Sequence, residues 1–192
     1  MSIQKINFRN SVLVLMILGA AATRLLNVNH LSAWSNFTPV GAIALFGGTY
    51  FSDKWKAYLV PLLTLFISDV ALSYVYFGKF VLFYDGFLPV YLCFALMVFI
   101  GTYIKKVNVV NVVSGSLLSV FLHWIVTDID PWLHGTLYSK SLYGYGESLI
   151  AAIPFEKNML LGDFVFGLIL FGGFELAKRR YTFLRTEKEL AL

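Results

Sequence analysis

Apolar residues run along this chain in six blocks, near 11–28, 38–51, 57–77, 87–104, 109–127 and 159–177, with polar residues gathered between them. A helix that crosses a hydrocarbon core of about 30 Å needs about 20 apolar residues, and about 17 is a practical minimum. Five blocks reach that length. The second, Thr38 to Phe51, has only fourteen residues, so it reads either as a short crossing helix or as a re-entrant hairpin. The expected fold is an all-α membrane protein, a six-transmembrane-helix bundle forming a single integral membrane domain over residues 1–192.

The basic residues choose between those two readings. With six crossings and the N-terminus in the cytoplasm, the inner segments hold Lys5, Arg9, Lys54, Lys56, Lys105, Lys106, Lys178, Arg179, Arg180, Arg185 and Lys188. The outer segments then hold only Lys79, Lys140 and Lys157, and Arg24 stays in the membrane. Without the second crossing every later loop would change sides and this bias would shrink, so the positive-inside rule favours six crossings with both termini cytoplasmic. The first block is flanked like a secretory signal, with Ala20-Ala21-Ala22 as a candidate cleavage site. Its apolar run continues through Leu25 and Leu26, and its removal would break the charge parity, so it is expected to be retained.

The longest polar interval, DIDPWLHGTLYSKSLYGYGESLIAAIPFEKN at 128–158, falls outside. A structureless connection of that length is unusual, and a folded cap on the outer face is expected there.

Composition narrows the class further. Of the 192 residues, 58% are hydrophobic and 14% charged, against about 45–50% and 25% in soluble domains. A lone cysteine, Cys93, excludes a disulfide scaffold. The net charge of +4 comes largely from the cluster after the last block, which looks like a membrane flank and not a nucleic-acid groove.

Ionisable side chains inside membrane spans are costly and usually face a partner or a cavity. Here they are Arg24, Asp69, His123, Asp163 and Glu175. The topology puts the first four in the outer half, on four helices, and Glu175 at the inner end, where it can snorkel. Ser116, Ser119, His123 and Thr127 recur at helical spacing, as do Asp69, Ser73 and Tyr76, and both polar stripes should face inward. A structural network would account for this set. A small-molecule pocket beneath the cap accounts for it equally well, with Arg24, Asp69, His123 and Asp163 lining or bracing it. Asn158, Trp124 and Trp132 are secondary substrate-binding candidates, and Asn36, Phe37 and Pro39 would shape the entry to the short second helix. Cys93 reads as a small hydrophobe, although a thiolate there could ligate a soft metal such as the cobalt of a corrinoid. His30, His123 and His134 show no metal-ligand spacing, so neither a metal nor another cofactor is expected. Ala44 with Gly48 and Gly115 with Ser119 form small-xxx-small steps suited to close helix packing.

Two strings, NFTPVGAIALFGGTYF at 36–51 and AAIPFEKNMLLGDFVFGLILFG at 151–172, together with Arg24 and Ser68-Asp69, resemble a bacterial family of unknown function described as transport proteins. That family is similar to the substrate-binding S-components of energy-coupling-factor vitamin importers. The resemblance implies an inner-membrane protein that binds a vitamin or related nutrient near its outer face. It also implies an energy-coupling membrane subunit with ATPases as a partner, since this sequence contains no phosphate-binding loop. No enzymatic activity is expected. A rival from another class starts from Leu161-Gly162-Asp163-Phe164 with Tyr84-Asp85, which is similar to the paired motifs of intramembrane aspartyl proteases. There, two carboxylates sharing a proton activate water. A membrane protein of purely structural role, without a ligand, is the third possibility.

Overall fold

Helices form wherever the apolar blocks lie, because a segment surrounded by hydrocarbon must satisfy its backbone N–H and C=O groups internally. The computed structural model describes residues 8–26 and 34–190; His30 lies outside them. α1 (Phe8–Ala22) continues into a 3₁₀ turn, Thr23–Leu26. It is followed by α2 (Val40–Tyr50), α3 (Lys54–Phe77), α4 (Phe87–Thr102), α5 (Val109–Thr127) and the short α6 (Ile129–His134). α7 (Leu142–Gly167) passes through a π-helical turn, Leu168–Gly172, into α8 (Gly173–Arg180), and a last short α9 spans Glu187–Leu190. No strand occurs among the described residues.

The short second block forms the centre of the molecule. Every α2 residue except Thr49 is buried, and the helix touches α1, α3, α4, α5 and α7. Its approach to α4 is backbone on backbone. A methyl at Gly48 would sit 2.1 Å from the Val98 carbonyl oxygen, and one at Gly101 would sit 2.4 Å from that of Leu45. The Thr49 hydroxyl lies 2.8 Å from the Leu45 oxygen and 3.1 Å from that of Gly101. The Ala44–Gly48 step is thus a packing seam. At the far end of α2, Phe46, Tyr50, Phe171 and Phe174 form an aromatic cluster with ring centroids 4.6–5.8 Å apart.

Contacts at the helix ends show that the chain runs back and forth between two poles. At one pole Arg9 donates to the Leu184 carbonyl (3.0 Å), and Tyr50 donates to Glu175 (2.6 Å), which also accepts from Lys178 (3.0 Å). At the other pole the end of α1, the start of α2, the α3–α4 connection, the end of α5 and the middle of α7 surround one cavity.

The surface is apolar where that of a soluble domain is polar, and a few polar side chains lie within a mostly apolar interior. Leu15, Ile67, Phe121 and Leu168 point outward, 52–76% exposed, while Ser116, Ser119, His123, Glu156 and Asp163 are buried. Four helical runs, Phe8–Leu25, Lys54–Phe77, Val109–His134 and Leu142–Arg180, are long and apolar enough to cross a membrane. Two shorter apolar helices, Val40–Tyr50 and Phe87–Thr102, accompany them.

The expected cap over 128–158 is not a separate layer in this architecture. Its first part is α6, and from Leu142 onward it is the opening of α7, so the last helix begins seventeen residues before the expected 159. Ser141 starts that helix by accepting the Gly144 N–H (3.2 Å), and Pro154 is carried inside it. Glycines 144 and 146, Pro154 and the charged Glu156-Lys157 pair give the segment a loop-like composition. The tertiary setting overrides that composition: Trp124 of α5 donates to the Leu149 carbonyl (2.9 Å), and Tyr145 donates to that of Ile125.

Candidate functional site

Arg24 is placed by the 3₁₀ turn that ends α1, where Thr23 bonds back to the Ala20 carbonyl (2.6 Å). Its guanidinium reaches α3, pairing with Asp69 (2.8 Å) and donating to the Ser68 hydroxyl. The other Asp69 oxygen accepts from Tyr91 of α4 (2.9 Å), so one carboxylate ties three helices together. Both members of the ion pair are 13% exposed, and the exposed part faces a cavity of about 390 Å³.

Across that cavity His123 Nδ1 lies 3.0 and 3.2 Å from the two carboxylate oxygens of Glu156 on α7. The His123 ring also packs on Phe94, with centroids 5.9 Å apart. Asp128, just past the end of α5, is a third buried carboxylate in the wall. Its Oδ1 and its own carbonyl each lie 3.4 Å from the Ser148 hydroxyl. Tyr84, in the α3–α4 connection, adds a phenol that burial, and then the charge of Asp69, push up to about 12. It is therefore a neutral hydroxyl at physiological pH.

Of the residues singled out from the sequence, Arg24, Asp69 and His123 meet at this cavity, and Asn36 and Thr127 join them. Asn36 adopts the left-handed backbone (φ 66°), which asparagine tolerates better than most residues. The other candidates serve the frame. Trp124 ties α5 to α7, Trp132 donates to the Ser139 carbonyl (3.0 Å), and Asn158 donates to the Ser35 carbonyl (2.8 Å). Phe37 packs on Trp34 and Phe166, and Pro39 precedes the first turn of α2.

Asp163 is set apart from the cavity. It is 1% exposed, and its carboxylate lies against the first turn of α2, where a methyl at Gly41 would come within 2.3 Å of Oδ1. Among the described residues neither oxygen has a partner in full hydrogen-bond geometry, and the Ala42 N–H is the backbone donor acting on the carboxylate. Pro39 provides no side-chain cap for α2, and the Asp163 carboxyl is the polar group that lies against its first turn. One residue earlier, Gly162 fits under Thr38, whose carbonyl oxygen would be 2.6 Å from an added methyl. The protease reading needs a carboxylate pair, and the structure does not bring its two residues together. Asp85 is an exposed loop residue, while Asp163 is enclosed between α7 and α2.

Glu156, Asp128, Tyr84 and Tyr91 escaped the reading of the sequence as site residues. The first two lie in the stretch assigned to a cap, so their carboxylates were not counted as intramembrane. Once 142–167 is read as a helix, Gly144, Ser148, Ala152, Glu156 and Met159 fall on one face at three- and four-residue spacing. Cys93 is 1% exposed, and no group of three potential metal ligands occurs among the described residues.

No curated protein and no solved structure matches this chain. A family model described as Family of unknown function (DUF6580) matches residues 4–187, nearly the whole length, and the protein belongs to that family.

Proposed function

We propose that this protein crosses the bacterial inner membrane six times, binds a small nutrient in its outward-facing cavity and takes part in its uptake. The observation that carries the reading is the cavity itself: about 390 Å³, with Arg24, Asp69, His123, Asp128 and Glu156 converging on it from separate parts of the chain. Ligand sites typically enclose about 300–1,000 Å³ and combine apolar walls with a few convergent polar groups. A purely structural network has no need to leave such a void among its most expensive side chains.

The topology is supported by the distribution of charge between the poles. Arg9, Lys178 and Arg185 gather where the two ends of the chain meet, as expected of a cytoplasmic face. Trp55, Tyr103 and Tyr181 are exposed, as interfacial aromatics are. The back-and-forth path of α1, α2, α3, α4, α5 and α7–α8 fits six crossings, and the short α2 is shielded from lipid by its neighbours. The ligand would enter from the outside and leave inward through movement of the bundle. In keeping with the resemblance to S-components, a separate coupling subunit with ATPases would supply the energy.

The test is to purify the protein from its native membrane and identify small molecules that co-elute, alongside Ala152→Trp, which fills the cavity. One compound retained by the wild type and lost from the folded variant is expected. Equal small-molecule content in both would leave the residues with a structural role only. Tags at either terminus should be accessible from the cytoplasm alone, and an outward-facing C-terminus would overturn the topology.

A further inference from the structure

The charges around the cavity do not balance, and the imbalance specifies what kind of molecule it holds. Among the described residues lining it, Asp69, Asp128 and Glu156 are acidic, against Arg24 and a histidine. Asp69 is paired with Arg24 and Glu156 with His123. Even with His123 protonated, three carboxylates face two cations. The unmatched one is Asp128: it is 8% exposed, lines the void, and among the described residues has only the Ser148 hydroxyl, at 3.4 Å, as a side-chain hydrogen-bond partner. A buried carboxylate without a counter-charge is costly, and a cationic ligand group beside it would remove that cost. Phe94, Phe155 and Tyr84 line the same space, and aromatic faces attract cations once water is displaced.

We infer that the cavity selects a small organic cation, an amine-bearing molecule whose ammonium group is received by Asp128 while its apolar body rests on the aromatic wall. The inference rests on the proposed function, since it assigns a ligand class to the same cavity. An anionic nutrient is disfavoured by the charge count, because Arg24 is already neutralised by Asp69 through the Nη1 that also donates to Ser68, although its Nε has no partner among the described residues.

The experiment compares three isosteric probes on the full chain in lipid nanodiscs: phenethylammonium, 2-phenylethanol and phenylacetate, each followed by thermal shift and by calorimetric titration. Phenethylammonium should bind at least about tenfold more tightly than either of the others, the fold-change expected for one charge-assisted hydrogen bond in a desolvated site. Asp128→Asn should abolish that preference and Asp128→Glu should retain it, with melting temperature confirming that both variants fold. If phenylacetate or 2-phenylethanol binds as well as phenethylammonium, or if folded Asp128→Asn keeps the preference, the cation assignment falls while the cavity remains a binding site. If none of the three probes binds, the cation assignment falls, while the binding reading is decided separately by the co-elution test.

Discussion

Replacing Arg24 by methionine keeps the length of the side chain and removes its charge, leaving Asp69 with Tyr91 as its remaining donor. At 2.8 Å, with each side chain 13% exposed, the pair is largely withdrawn from water. Breaking a buried pair by deleting one partner typically costs about 3–5 kcal/mol, most of it the penalty of the abandoned charge. Two features lower that figure here. The Tyr91 hydroxyl still bonds to the carboxylate, and hydrogen bonds to charged groups contribute about 1.5–3 kcal/mol. The cavity also admits water to the remaining exposed edge. Arg24→Met should therefore destabilise the protein by about 2–3 kcal/mol. Adding Asp69→Asn removes the orphaned charge and keeps an acceptor for Tyr91, so the double variant should recover about 2 kcal/mol of the loss. Equilibrium unfolding of the purified protein in mixed micelles gives all four corners of this cycle. Arg24→Met within about 0.5 kcal/mol of wild type, or a double variant no more stable than Arg24→Met alone, would refute the claim that this pair is the polar joint of α1, α3 and α4.

Two further outcomes follow from the packing. Gly41→Ala forces a methyl to within 2.3 Å of Asp163 Oδ1 and should cost about 2 kcal/mol as overpacking. Asp163→Ala should relieve part of that cost, so the two losses combine less than additively in the same unfolding assay. Near the C-terminus, Glu189 is held below the ordinary glutamate range: burial opposes this, but hydrogen bonds from Lys178 and Thr186 and the Lys178 charge outweigh it. A carboxyl depressed on folding contributes stability that is present above the unfolded value, about 4.3, and is lost as pH falls through the lower folded value. Limited proteolysis after Arg185 should accordingly speed up on acidification in the wild type. Glu189→Gln should show the faster cleavage already at neutral pH, and identical pH profiles for the two proteins would refute the assignment.

How much of this was readable beforehand depends on whether a feature is written along the chain or created across it. The apolar blocks and the inward stripe Ser116, Ser119, His123 follow from length and spacing, whereas the short second block read as a crossing helix or a hairpin, and its enclosure by α1, α3, α4, α5 and α7 is visible only in the fold. The partners of the charged residues were less accessible. Arg24 could have paired with Asp69 or Asp163, and only the 3₁₀ turn that follows α1 aims it at α3. The role of Glu156 was hidden because proline, glycine and adjacent charges give 142–158 the composition of a loop. Its helicity depends on α5 packing beside it, which no local pattern encodes.

The two strings that carry the family resemblance, 36–51 and 151–172, are distant in sequence and meet in space. Gly162 lies under Thr38 and Asp163 against Gly41, and both contacts are made possible by the absence of a side chain on a glycine. This joint positions the first turn of α2 against α7, and Asn36, Thr38 and Val40 from one side of it and Glu156 and Met159 from the other line the cavity. The two strings therefore account for how the cavity is built, not for what it recognises. Under the proposed binding role, the lining residues outside the two strings, Tyr84 in the α3–α4 connection, Phe94 on α4 and Asp128 at the end of α5, are the ones placed to distinguish one ligand from another. Substitutions at those three positions should alter which molecule is retained with the fold intact, whereas substitutions at Gly41 or Gly162 should lower the yield of folded protein and leave the identity of the bound molecule unchanged.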